Sequence, residues 1–177
     1  MSGILYGTGT GPGEAELLTL KAVRLIRSCD MIAVPVSDST LKEPCIWEEG
    51  MPYLDNCTAY QIVLPEVPEI QKKPVLCLPM PMMKEKEELK RIHDAGAKKV
   101  EEYLDEGMNI AFLTLGDPSI YSTYLYIHKR VQKDGYQAVI IPGIPSFCAA
   151  AAALNLGLAE IKRRFISCRP PMELKRG

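Results

Sequence analysis

Three short segments of this chain carry the residue types from which a small-molecule site is built. They are Gly7-Thr8-Gly9-Thr10-Gly11-Pro12-Gly13, then Gly116-Asp117-Pro118, then Pro142-Gly143-Ile144-Pro145-Ser146. Glycine lets a backbone come close to a ligand, and an aspartate in such a loop offers it a carboxylate. A phosphate-bearing ligand is disfavoured. From Gly7 or Gly9, the dinucleotide spacing Gly-x-Gly-x-x-Gly needs glycine at 12 or 14, where Pro12 and Glu14 stand. No Gly-Lys pair follows the loop, and Pro12 removes a backbone N–H that a phosphate cradle would use. Asp38 reads as the start of a polar loop rather than a ribose ligand. For Asp117 two readings stand level: a carboxylate in a cleft, or a turn residue bonding its own backbone. Tyr121-Ser122-Thr123-Tyr124 adds hydroxyls, with helix capping by Ser122 as the plain alternative. No Ser-His-Asp arrangement or carboxylate pair can be assembled, so no catalytic residue is assigned.

These loops need elements to hold them. Gly3 to Thr8 is a short apolar run, and Leu17 to Arg27 follows with helical spacing, apolar on one face and basic on the other. Met31-Ile32-Ala33-Val34-Pro35 reads as a second buried strand closed by its proline. Strand, glycine loop, helix and strand make a βαβ unit with parallel strands. Val36 to Pro81 is proline-rich and reads as loop, with a broken helix near Tyr60 to Val63 and a short strand at Val75-Leu76-Cys77-Leu78. A long charged helix is expected over Glu85 to Glu106, capped by Gly107. Asn109 to Leu115 and Ala138 to Ile141 are further strands. Helices are expected from Tyr124 to Val131 and Ser146 to Leu154, with Gly135 ending the former. The pattern is an α/β parallel sheet, and all three loops leave strand C-terminal ends, where open α/β sheets bind ligands.

Composition narrows the class. The chain has 177 residues, 47% hydrophobic and 24% charged, with net charge −1. That suits one folded domain or slightly more, and excludes a disordered tail or a collagen-like repeat. No run approaches the ~20 apolar residues of a bilayer span, and the charge balance disfavours nucleic acid, so neither membrane nor nucleic acid is an expected partner. Met1 to Gly7 lacks the features of a secretory signal, and a cytoplasmic protein is expected. Six cysteines with no Cys-x-x-Cys pair read as reduced thiols, and with only His93 and His128 no metal site is expected.

Taken together, Gly9-Thr10-Gly11-Pro12-Gly13 through Leu17-Leu18-Thr19-Leu20-Lys21-Ala22, Gly116-Asp117-Pro118 and Pro142-Gly143-Ile144-Pro145-Ser146 resemble the tetrapyrrole methylases. Each motif is weak alone; all three in order are specific. Ser119-Ile120-Tyr121-Ser122-Thr123-Tyr124 and Leu78-Pro79-Met80-Pro81-Met82 resemble the branch that methylates C20 of precorrin-2 or cobalt-factor II in cobalamin biosynthesis. The resemblance covers roughly residues 1 to 160. It implies a fold of two α/β domains with S-adenosylmethionine between them. By motif, the donor would touch Pro12, then Leu115, Gly116 and Asp117 with Ile120 just after, then Pro145 and Ser146. That agrees with a ligand that carries a sulfonium and no phosphate. Direct methyl transfer to a ring carbon mainly needs alignment in a dry pocket. A tetrapyrrole substrate with many carboxylates makes Lys21, Arg24 and Arg27 candidates for a basic trough, against the plain reading of solvated helix charges. The resemblance also implies a homodimer.

The same resemblance sets an expectation for the end of the chain. Residues 1–160 would form the first domain, and residues 161–177, basic and broken by Pro170-Pro171, an aberrant or truncated start of a second that is largely missing. Back-translating Lys162 to Arg176 with chosen codons and dropping two nucleotides gives a strand-like stretch with Pro-Ala-Ser-Tyr, as a frameshift would. Such a chain would keep one wall of the donor cleft, with weak donor binding and little methyl transfer. Two other readings remain open: a family member acting on another precorrin position, a ribosomal RNA ribose or a diphthamide precursor, or a non-catalytic α/β binding module.

Overall fold

A computed structural model describes residues 2–83, 85–159 and 165–167 of the chain. Among them the elements run β1 (Ile4–Gly9), α1 (Leu20–Ser28), β2 (Met31–Val36), β3 (Cys45–Ile46), α2 (Thr58–Val63), β4 (Val75–Pro79), α3 (Lys86–Asp105), β5 (Ile110–Thr114), α4 (Tyr124–Lys133), β6 (Gln137–Ile141) and α5 (Ser146–Ala153). Short 3-10 turns lie at Ala15–Leu17 and Pro68–Lys72. The strands form one sheet in the order β3-β4-β2-β5-β1-β6, parallel except for the edge pair β3 and β4. The expected α/β parallel sheet is therefore present, with one short antiparallel strand inside the stretch read as loop. None of the described helices is long and apolar enough to cross a membrane. Of the segment 161–177, only Phe165–Ser167 fall within the described residues.

Alternation along the strands splits the core into two layers. Ile32 and Val34 of β2, Val75 and Cys77 of β4, and Ala111 and Leu113 of β5 face one side, where Ile26 of α1 and Tyr60 and Val63 of α2 cover them. Met31 and Ala33, Leu76 and Leu78, and Ile110 and Phe112 face the other, beneath Val100 and Leu104 of α3 and Tyr124, Ile127 and Val131 of α4. The central strands are apolar on both faces because both faces are covered.

β2 does not stop at Pro35 as its sequence implied; it continues to Val36. The reason lies in the ladder. The Ile32 N–H donates toward β4 (to the Pro74 carbonyl, 3.0 Å) and the Met31 N–H to the Asn109 carbonyl just before β5 (3.2 Å), so odd-numbered residues face β5. Pairing with β5 ends at Ala33, two residues before Pro35. The proline therefore stands where no donor is required, while β4 pairing runs on to Val36.

Helix ends follow local chemistry. The Thr19 hydroxyl accepts from the Ala22 N–H at 3.1 Å and caps α1. At the other end of α1, the Lys73 ammonium donates to the carbonyls of Arg27 (2.8 Å) and Cys29, which suits the negative end of a helix. Gly107 ends α3 with φ of +84°, its N–H on the Leu104 carbonyl at 3.0 Å, as its position predicted.

The sheet touches α4 most closely at Gly7. A Cβ there would stand 2.0 Å from the Tyr124 ring, a fully buried side chain whose hydroxyl meets His128 Nδ1 at 2.9 Å. Gly7→Ala must displace that ring and is expected to destabilise the fold by about 2 kcal/mol or more. Gly96→Ala on α3 meets only the flexible end of Ile127 at 3.1 Å and gains helix propensity, so it should stay within about 1 kcal/mol of the parent. Urea unfolding of the two variants checks this; equal midpoint shifts would overturn it.

Candidate functional site

β1 and β5 lie side by side, yet the helices that follow them go to opposite faces of the sheet: α1 covers one layer and α4 the other. Their loops must part at the C-terminal edge, and this divergence opens the crevice in which α/β sheets hold ligands. The loop after β6, on the other side of β1, closes it.

Hydrogen bonds weld the three loops together. Gly11 and Gly116 form an antiparallel bridge, with the Gly116 N–H on the Gly11 carbonyl at 2.8 Å and the reverse bond at 3.3 Å. The Thr10 N–H and hydroxyl both donate to the Thr114 carbonyl, at 2.9 and 3.1 Å. The second and third loops are joined by Asp117. One carboxylate oxygen accepts from the Ser119 N–H at 2.8 Å and from the Ser119 hydroxyl; the other accepts from the Gly143 N–H at 2.9 Å. Asp117 thus bonds its own turn, as one reading expected, and also spans the crevice wall. It is only 8% exposed. Burial opposes its ionisation, but the bonds from the Ser119 hydroxyl, the Gly143 N–H and the Ser119 N–H prevail and hold the carboxyl below its ordinary value.

At the centre the backbones are too close for side chains. A Cβ on Gly143 would lie 2.2 Å from the Gly116 carbonyl oxygen, and one on Gly9 would lie 2.6 Å from both that oxygen and the Gly143 nitrogen. The sequence reading marked these loops but not the contact between Gly9 and Gly143; residues 134 positions apart give no local sign of touching.

The residues expected to hold the donor are distributed around this junction. Pro12 follows the Gly11 bridge residue, and Leu115 presents a half-exposed apolar side chain beside it. Gly116 and Asp117 form the junction itself, and the Ile120 N–H donates to the Asp117 carbonyl at 3.1 Å. Pro145 and Ser146 lie just beyond Gly143, where Pro145 precedes α5 and its carbonyl accepts from the Cys148 N–H at 3.1 Å. Asp38 is in a polar loop as read, its carboxylate taking the Thr40 N–H at 2.8 Å.

The basic residues of α1 are a different matter. The helix runs back along the sheet and carries Arg27 to the edge opposite the loops, where it pairs with Glu69 at 2.8 Å and donates to the Glu66 carbonyl at 2.9 Å. Arg24 Nε reaches the Leu20 carbonyl of its own helix at 3.4 Å. The plain reading fits both arginines. Ser122 accepts from the Tyr124 N–H at 3.2 Å and shares a 2.8 Å hydroxyl–hydroxyl bond with Thr114, so it tethers the loop after β5 to that strand. Beside the junction opens a cleft of about 460 Å³, bordered by Ile120, Tyr121 and Ser122 and by Leu125, Tyr126 and Lys129 of α4.

The family model of the Tetrapyrrole (Corrin/Porphyrin) Methylases matches residues 4–176. A Methanocaldococcus jannaschii protein named "Probable cobalt-precorrin-2 C(20)-methyltransferase" is 37% identical over 156 residues, which are 88% of this chain and 59% of the relative. The cobalt-precorrin-2 C(20)-methyltransferase of Salmonella typhimurium is 30% identical over 173 residues, 97% of this chain and 66% of its own length. The chain thus spans about three-fifths to two-thirds of these relatives. Uroporphyrin-III C-methyl transferase from Thermus thermophilus, solved in complex with S-adenyl homocysteine, shares the fold with a TM-score of 0.57 at 18% identity, over 90% of this chain and 51% of that one.

If Asp117 is the clamp, Asp117→Asn must turn an amide NH₂ toward one of its donors. The expected loss is about 1–3 kcal/mol at neutral pH. Because the folded-state pKa is lowered, the carboxylate's contribution is full above the unfolded value of about 3.9 and is lost as pH falls through the lower folded value. The gap between parent and variant should therefore narrow as pH falls below about 5. Denaturant unfolding across that range checks it, and a gap independent of pH would exclude the clamp.

Proposed function

This chain belongs to the tetrapyrrole (corrin/porphyrin) methylases, and from that premise we propose that it carries the donor site of an S-adenosylmethionine-dependent methyltransferase acting on C20 of precorrin-2 or cobalt-factor II. The observation that carries the reading is the junction of the three glycine loops, tied by Asp117, at the crevice between β1 and β5. The choice of C20 rests on the two relatives named for that reaction.

The residues present suit this donor. Pro12 gives no N–H, and the amides of Gly11, Gly116 and Gly143 are already bonded within the junction, so a phosphate would find few donors. The ionised Asp117 makes the site favourable to a cation. Leu115 and Ile120 add apolar wall beside it. When bound, the donor supplies an electrophilic methyl group on sulfur, which the ring carbon takes as the sulfur–carbon bond breaks. The protein's share is positional. Loops fixed by buried hydrogen bonds hold one reactant in a single pose, and most of the rate gain available to such a displacement comes from alignment and exclusion of water. No side chain has to accept a proton for the methyl group to move, so the lack of a triad is no obstacle.

The test is ligand-detected NMR on the 177-residue chain. Saturation transfer to the adenine protons of S-adenosylhomocysteine is expected, weaker for ADP and reduced at least about fivefold in affinity by Gly143→Ala, whose Cβ breaks the junction. No transfer from the parent protein, or a stronger response from ADP, would overturn the reading. Methyl transfer from labelled donor, compared between precorrin-2 and cobalt-factor II, then separates the two acceptors.

A further inference from the structure

The cleft beside the donor junction has a chemistry of its own. It adjoins the junction through Ser119, whose N–H is held by Asp117, and through Ile120. Its opposite wall is α4, where Leu125, Tyr126 and Lys129 follow at helical spacing and so line one face, with Ser122 of the preceding loop beside them. Among the described residues no carboxylate side chain borders it. Among the described residues Arg27, Arg91, Lys99 and Arg130 all have acidic partners, whereas Lys129 has none within ion-pair distance. An exposed lysine is usually only solvated. This one stands in a concave site beside the reacting centre.

The aromatic walls are held in place. The Tyr126 ring stacks on His93 with centroids 4.5 Å apart and planes 9° from parallel. Tyr121 has φ of +51°, a left-handed conformation that costs a bulky residue about 1 kcal/mol or more. The bonds of Ser119 to Asp117 and of Ser122 to Thr114 pin the turn on either side of it. The strained turn leaves the Tyr121 ring 54% exposed at the cleft, with its hydroxyl 3.2 Å from that of Ser167. A flat, partly apolar group bearing an anion fits such a place: rings on the sides, a cation at the end, and hydroxyls between. About 460 Å³ accommodates a side arm and a ring edge rather than a whole macrocycle.

We propose that this cleft is the subsite for one carboxylate arm of the acceptor tetrapyrrole, with Lys129 as its counter-ion and Tyr121 and Tyr126 as its walls. The proposal rests on the methyltransferase reading and adds to it the residue that sets acceptor orientation. Anchoring an arm at Lys129 limits how the macrocycle can lie over the donor, and so which ring carbon meets the methyl group.

The probe is uroporphyrin I, a porphyrin with eight carboxylates, followed by fluorescence titration against the full chain. Lys129→Gln is expected to weaken binding about five- to tenfold, while Lys129→Arg stays within about twofold of the parent. Lys98→Gln, an exposed lysine on α3, controls for net charge and should have no effect. S-adenosylhomocysteine binding should be the same in all four proteins. Binding that is insensitive to Lys129→Gln, or equally weakened by Lys98→Gln, overturns the subsite. If the parent binds S-adenosylhomocysteine but no porphyrin, the subsite falls while the donor reading stands. If it binds neither, both fall.

Discussion

Asp117 holds two loops that the rest of the chain has no other strong reason to bring together. Its carboxylate is divided between the turn that follows β5 and the Gly143 amide after β6, and burial makes each of those bonds worth more than it would be in water. The geometry it maintains admits no side chain at Gly9 or Gly143. Removing a donor or acceptor here leaves a partly buried polar group facing backbone. The clamp and the glycine contact are therefore one constraint: short approach requires glycine, and glycine loops need a clamp because they are otherwise free to move.

The layers beneath exist to deliver the loops to that point. The register of β1 against β5 and β6 places Gly9 opposite Thr114 and Thr8 opposite Ile141, so the three strands end almost level. Tyr124 then fixes the height of α4, because its ring lies over Gly7 and its hydroxyl is held by His128. A change at Gly7 would be felt at Lys129 through the same helix. The residue that shapes the sheet's contact with α4 and the α4 residues that line the cleft beside the junction thus belong to one chain of contacts.

Charge is arranged to the same end. The ionised carboxylate sits at the junction, and Lys129, one of several lysines with no acidic partner among the described residues, stands at the far side of the adjoining cleft. A cationic donor and an anionic acceptor would each meet the opposite sign, with the reacting atoms between them. The arginines of the first helix do not take part in this arrangement. Arg27 is spent on Glu69 and the loop beneath it, at the edge of the sheet away from the loops.

Much of this was legible in the amino-acid sequence. Apolar runs ending in glycine or proline marked the central strands, and the helical period with Gly107 marked α3, because hydrophobic pattern and turn chemistry are local properties. The argument against a phosphate ligand also rests on the sequence, since Pro12 lacks an N–H in any fold. Other features were closed to it. β3 is two residues long, and its existence depends on β4 offering an unpaired edge. Pro35 could continue its strand only because the pairing of β2 with β5 had already ended at Ala33. Asp117 could be read equally as a turn residue or a cleft residue, and its bond to Gly143 stayed hidden because that partner comes from a loop after the next strand. Arg27 and Lys129 have the same kind of charge on the same kind of helix; only the direction of each helix across the sheet sends one to Glu69 and the other to the cleft. Sequence determines what each segment can form, since that depends on neighbours a few residues away. Which segments meet, and which charges remain without a partner, depends on contacts between residues tens to more than a hundred positions apart, and only the folded chain decides them.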